Sequence, residues 1–226
     1  MITWLILAAA ALIGLAAWEV LVCEGAHLGP RFVVWLYDIA ATRYESIKAF
    51  DLDWERRTLG EPLHAAVGSL PGARVLDVGA GTGRLARALQ ASGGFAGSLL
   101  CLEPSRRMLS LGRQQVAGRG VTWLRAWAVP LPLASASFDF VVSLEILEFT
   151  PRPNETLSEL VRVLRPGGWL LITNRVGREA RWILGRTTPP REFPASLIRA
   201  GLESIDVIPW QVEYDLAWAR KPWGNS

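Results

Sequence analysis

Histidine and cysteine are scarce in this 226-residue chain, at two each, and long runs of lysine or arginine are missing. Each shortage removes a class of protein. Cys23 and Cys101 cannot supply the framework of a disulfide-stapled domain. Each lies in an apolar run, so a buried, reduced thiol is expected for both, which fits a cytosolic compartment. His27 and His64 both precede the glycine-rich core, where they are expected to be structural or exposed rather than catalytic. Without a basic stripe there is nothing to hold a nucleic acid, and no such partner is expected. No metal site is expected either. Internal repeats are absent, as is any low-complexity tract beyond the first segment.

Apolar residues are plentiful. They make up 50% of the chain against 20% charged residues, enough for one domain with a proper core. Tryptophan is abundant at 11 residues, and the net charge is a mild +3, compatible with weak attraction to an anionic membrane surface. Residues 2–18, ITWLILAAAALIGLAAW, carry no charge, and the apolar character resumes after Glu19 through Cys23. As a helix, residues 2–22 would span roughly 31 Å, about one hydrocarbon thickness, with Trp4 and Trp18 near the two interfaces. Three readings compete: a membrane anchor, a cleaved signal peptide, and a buried or surface-lying helix. The length and the flanking tryptophans favour an anchor. A signal peptide normally opens with Lys or Arg, and only Met1 precedes this run. Glu19 is costly in lipid unless it sits at the boundary. Arg31, Arg43 and Lys48 follow the segment, so the positive-inside bias places the rest of the chain in the cytoplasm.

Residues 30–59 have helical spacing, with Phe32, Trp35, Leu36, Ile39, Ala40 and Tyr44 on one face. A short helix is predicted over Glu61–Val67 and a turn at Leu70-Pro71-Gly72. Strands then alternate with helices. The strands are Arg74–Val78, Ser98–Glu103, Val121–Ala126, Phe138–Leu144 and Trp169–Thr173. The helices are Gly83–Ala91, Pro104 to about Val116, and Pro153–Leu164. A helix over Pro194–Ala200 and strands near Ser204–Ile208 and Gln211–Trp218 complete the chain. Such alternation predicts an α/β fold, a parallel sheet with helices on both faces. Three segments are expected: residues 1–26 as the hydrophobic anchor helix, 27–70 as a helical lead-in or cap, and 71–226 as the main domain.

The first predicted strand runs into VLDVGAGTGRL, residues 75–85. Glycines at alternate positions let a backbone approach a ligand closely. A dinucleotide loop needs its third glycine where Arg84 stands, so that fingerprint fails and a nicotinamide reductase is disfavoured. The pattern Asp77-x-Gly79-x-Gly81-x-Gly83 instead resembles the first motif of the class I methyltransferases that use S-adenosylmethionine (SAM). Further stretches match that family in order. Glu103 ends the second strand, Leu131-Pro132-Leu133 precedes Phe138-Asp139-Phe140-Val141-Val142, and residues 157–168 read LSELVRVLRPGG. Tyr37-Asp38 and Tyr44-Glu45 resemble a segment that caps the cofactor in relatives, and equally fit an amphipathic packing helix.

The resemblance implies a Rossmann-like sheet of seven strands, the last antiparallel, with SAM across the carboxyl ends of the first two. It implies SAM contacts at Asp77, Gly79, Ala80, Gly81 and Gly83, ribose contacts at Glu103 beside Pro104, an adenine wall at Trp127 and Ala128, and a contact at Ser143. Two segments depart from the family. Trp127 replaces an acid that accepts from the adenine amine, and an indole stacks but cannot accept. Glu148 and Phe149 stand where many relatives carry a histidine pair. The candidate bases are therefore Glu148, Glu145, Tyr37 and Tyr44, and none stands out. The expected activity is methyl transfer to a small, lipophilic or membrane-associated acceptor. The alternative is a catalytically inactive module of the same fold, anchored to the membrane. Residues 175–186 carry four arginines around Trp182, Ile183 and Leu184, which suits either a lipid interface or a solvated surface helix.

Overall fold

The apolar runs rich in valine, leucine and isoleucine form the strands of one seven-stranded sheet. In the computed structural model, which describes residues 1–68, 70, 72–93, 97–116, 118 and 120–224, these are β1 Arg74–Val78, β2 Ser98–Leu102, β3 Val121–Leu124, β4 Phe138–Ser143, β5 Leu164–Arg175, β6 Glu203–Gln211 and β7 Tyr214–Arg220. Their order is β3-β2-β1-β4-β5-β7-β6. Strands β1 to β5 pair in parallel, and β7 runs antiparallel between β5 and β6. The chain order reverses beside β1, with β2 on one flank and β4 on the other. In open α/β sheets such a reversal opens a crevice at the carboxyl ends of the strands.

Both faces of the sheet are covered, which is why β1 is buried continuously from Val75 to Val78 rather than at alternate residues. The helices are α1 Ile2–Leu21, α2 Pro30–Ala40, α3 Tyr44–Lys48, α4 Leu52–Glu55, α5 Glu61–Gly68, α6 Arg84–Ala91, α7 Arg106–Gln115, α8 Pro153–Val163 and α9 Phe193–Arg199. Val75 faces α5 and α6 through Leu63, Leu85 and Leu89. Leu76 and Val78 face the opposite layer, built on Leu157 and Leu160 of α8 and Leu197 of α9.

Helix α1 has 20 residues and is apolar enough to cross a membrane by length and composition. Residues 2–17 are exposed. Only its last turn is built into the protein. Glu19 is buried there, accepting from the His27 backbone N–H (2.8 Å) and facing the His27 Nδ1 (2.8 Å). Trp18 packs against Cys23, Ala26 and Ile183.

The structure departs from the expected elements in four places. The single helix expected over residues 30–59 is broken, because Ala49 adopts φ 46° and Asp51 starts a new helix by accepting from the N–H groups of Asp53 and Trp54. Helix α7 begins at Arg106 rather than Pro104, with Ser105 as its cap, accepting from Met108 N–H. Strand β5 starts five residues early, since Leu164 already pairs with Phe138. The last predicted strand contained the β6–β7 turn at Val212-Glu213. Pro71, in the turn expected before β1, lies outside the described residues.

Candidate active site

Strand β1 delivers Asp77 to the carboxyl edge of the sheet, and the chain must then turn sharply into α6. Gly79, Gly81 and Gly83 take φ values of 78°, 54° and 90°, a region hostile to other residues. Their surroundings differ. A Cβ on Gly79 would collide with Ile146, and one on Gly83 would meet Val116 Cγ2 at 2.8 Å. A Cβ on Gly81 would find only Met108 Cε, at 3.8 Å. Gly81 therefore keeps open space at the surface of a chamber, while Gly79 and Gly83 shape the turn.

Asp77, Gly79, Ala80, Gly81, Glu103, Pro104, Trp127 and Ala128 all line this chamber, as do Tyr37, Tyr44 and Glu145. Three other expected residues lie outside the lining. Gly83 is behind the loop as the cap of α6. Ser143 is buried within β4, and its successors Leu144 and Glu145 reach the chamber instead. Glu148 is buried against Tyr214, whose hydroxyl donates to it at 2.5 Å.

Glu103 ties two loops together, accepting from Gly81 N–H at 2.9 Å and from Ser105 N–H at 2.8 Å. Burial pushes its carboxyl up to about 7 despite those two donors. Burial, and then the nearby Glu103, likewise push Asp77 up to about 7. Two acids poised near neutrality in one cavity mark a place built to receive positive charge or hydroxyl donors. Both features suit SAM, which carries an ammonium, a sulfonium and a ribose diol. Trp127 is 40% exposed on the chamber wall, its indole free to stack.

The four candidate bases behave otherwise. Burial opposes the charge on Glu145, but Lys48 (2.8 Å) and Arg84 (2.5 Å) outweigh it and hold its carboxyl below the usual range. Burial keeps the Tyr37 phenol protonated, and Glu24, which accepts from it at 3.0 Å, reinforces this. Tyr44 is raised chiefly by burial, then by Glu145. Glu148 is raised by burial but does not reach the chamber. None of these four is a free base: the two phenols are held protonated, Glu145 is ion-paired and Glu148 lies outside the chamber.

Several residues take roles that the sequence reading did not give them. Asp38 accepts from Ser105 Oγ (2.5 Å) and Arg107 N–H (3.0 Å), latching α2 to the loop after β2. Glu45 accepts from Thr82 Oγ1 in the glycine loop and from Arg87 at 2.9 Å and 3.0 Å. The acid that follows each tyrosine was the available signal. Arg84, noted only for spoiling a fingerprint, pairs with Glu55 and Glu145 and lies 4.3 Å over Phe50 and 4.4 Å over Trp210. Glu19, Cys23 and His27 also converge, with ligand-type atoms within 4.8 Å of one another. Their spacing of four residues could have signalled this, and their polar atoms are engaged with each other and with residues 182 and 184.

Residues 76–172 match the family model of a methyltransferase domain. The seven-stranded mixed sheet with its covering helices is the Rossmann-like methyltransferase fold. The chain is 40% identical over 108 residues to a demethylmenaquinone methyltransferase of Clavibacter sepedonicus, covering 47% of this chain and 43% of that one. It is 36% identical over 143 residues to a malonyl-[acyl-carrier protein] O-methyltransferase of Methylococcus capsulatus, covering 62% and 50%. The chain therefore spans half or less of the length of these curated relatives. Among solved structures, the [4+2]-cyclase SpnF superposes with a TM-score of 0.67 at 21% identity, covering 87% of this chain and 98% of that one. That neighbour shares the fold, and its name shows that the fold alone does not fix the reaction.

Proposed function

We propose that this protein is a membrane-anchored methyltransferase that moves a methyl group from SAM to a small lipophilic acceptor, with the catalytic domain on the cytoplasmic side. The observation that carries the reading is the chamber itself. Asp77, the Gly81 backbone and Glu103 gather at the carboxyl ends of β1 and β2, and the same cavity is lined as well by the apolar side chains of Val33, Val34, Ile146 and Phe149. Relatives named for methylating demethylmenaquinone and malonyl-[acyl-carrier protein] support methyl transfer to small acceptors. Built-in contacts of Trp18 and Glu19 with His27 and Ile183 favour a retained anchor over a cleaved leader.

SAM, if held there, would supply an activated methyl for in-line displacement by the acceptor's lone pair, the neutral thioether being the leaving group and any acceptor proton passing to solvent. The protein's part is to hold and align. Ionised Asp77 would face the cationic end, and Glu103 would receive the ribose hydroxyls. Trp127 and Ala128 would wall the adenine, and Gly81 would leave room for the methionine part. Tyr37, whose proton is given to Glu24, and Tyr44 are both held protonated beside the chamber and are not proton acceptors. Without a free base, the rate comes from proximity and in-line orientation, and the acceptor must be a competent nucleophile on its own.

The test uses the full-length protein with methyl-labelled SAM and membrane extracts. SAM binding is read by calorimetry, and label is followed into the organic and aqueous phases. The reading expects binding and label in the organic phase. Absence of SAM binding would return the chain to an inactive module, and label in water-soluble products alone would remove the lipophilic acceptor.

A further inference from the structure

Residues 178–186 take no part in the chamber lining, yet they are fixed against the foot of α1. Ile183 is fully buried with Cys23 and Ala26, and Trp18 packs on the same cluster. Cys23 Sγ donates to the carbonyl of Trp182 (3.6 Å), and His27 Nε2 lies 3.0 Å from the carbonyl of Leu184. These contacts order the backbone around Ile183 while turning its neighbours outward. Trp182 is 51% exposed and Leu184 67% exposed, and Leu28, just beyond His27, is 55% exposed. Arg31, Arg178 and Arg181 are exposed on the same two stretches, and the Arg181 guanidinium lies 5.2 Å over the Trp182 ring. Large apolar side chains turned outward amid cations, with the exposed Glu179 between them ion-paired to Arg175 (3.2 Å), mark an interaction site rather than ordinary surface.

We propose that Leu28, Trp182 and Leu184, ringed by Arg31, Arg178 and Arg181, form a foot that inserts into the interfacial layer of an anionic lipid bilayer around α1. The proposal rests on reading α1 as an anchor. Three observations select lipid as the occupant. The exposed apolar length of α1 departs from the same spot, so a bilayer that receives it must meet these side chains. Tryptophan and leucine edged with arginine match the chemistry of the headgroup boundary. Glu19, the one acid at that level of α1, is turned inward to His27 and presents no negative charge to the lipid.

The experiment uses full-length protein reconstituted in phosphatidylcholine vesicles, with and without phosphatidylglycerol. A polarity-sensitive fluorophore is attached in separate variants at Leu184→Cys, at Leu12→Cys in α1, and at Leu70→Cys ahead of β1 on the opposite edge of the sheet. The native Cys23 and Cys101 are buried. Lipids spin-labelled near the headgroup should quench the Leu184 position several-fold more than Leu70, and deeply labelled lipids should quench Leu12. Phosphatidylglycerol should increase the quenching at Leu184, and R31Q/R178Q/R181Q should abolish that increase. Deep quenching at Leu12 with Leu184 no more quenched than Leu70 overturns the foot and leaves the anchor standing. Labels in water at both positions overturn both. An increase that survives the triple substitution removes the arginines from the proposal. No step reads activity, so the outcome is independent of the methyl-transfer reading.

Discussion

Glu103 accepts two backbone N–H groups and, in the proposed complex, the ribose hydroxyls as well. Glu103→Ala removes charge-assisted bonds, so SAM affinity should fall by about 1–3 kcal/mol in a calorimetric titration. Gly81→Val should nearly abolish binding for a different reason. It places a branched side chain at φ 54° with its Cβ over open chamber space. Wild-type affinity in both variants would move the cofactor elsewhere. Trp127 is a separate case. If it stacks on adenine, Trp127→Ala lowers affinity, and Trp127→Asp, which restores an acceptor, regains or exceeds it. Arg84 belongs to the framework: Arg84→Met leaves Glu55 and Glu145 buried without their guanidinium. Denaturant unfolding in detergent should show a loss of about 3–5 kcal/mol.

Asp38 and Glu45 make the lead-in segment part of the site. Their latches on Ser105 and Thr82 hold Tyr37 and Tyr44 over the chamber although neither acid lines it. Asp38→Ala with Glu45→Ala should speed hydrogen exchange across α2 and α3 and weaken SAM binding, while exchange in β1 and β4 stays unchanged. Equal speeding in β1 would mean general destabilisation instead. Much at this scale was legible in the sequence. The glycine loop, the strand–helix alternation and the antiparallel last strand follow from local chemistry and from family resemblance. The break at Ala49-Phe50-Asp51 did not, because an apolar helical period ran through it and the Asp51 cap outweighed that period locally. The lead-in's anchoring acids were hidden for another reason: their partners lie 37 to 69 residues away, beyond any local pattern. Ser143 and Glu148 were misplaced relative to the chamber for want of one datum, the direction the chain takes after β4, where Glu145 adopts φ 55°.

For the molecule as a whole, the two acids raised to about 7 set opposite pH trends for folding and for binding. Their raised values mean that their stabilising contribution is complete in acid and is lost as pH rises through about 7. Cofactor binding wants the ionised forms, so SAM affinity should rise over that same interval and binding should release protons near neutrality. Calorimetry in buffers of different ionisation heat reads the proton count directly. Proton uptake, or affinity that falls with rising pH, would contradict the assignment of these carboxyls.

The last turn of α1 has a consequence for how this protein can be handled and how it can diverge. Phe149 packs on the Cys23–Ala26–Ile183 cluster and also meets Tyr37, with ring centroids 5.9 Å apart, while Glu24 spans Tyr37 and Arg175. What looks like a detachable leader is therefore one wall's foundation. A truncation at residue 26 takes away Trp18, Glu19, Cys23 and Glu24 together, so that His27 loses Glu19, Tyr37 and Arg175 lose Glu24, and Ile183 loses the cluster that buries it. Such a protein has not merely changed address. Helix α1 and the chamber have to be inherited, moved and engineered as one piece.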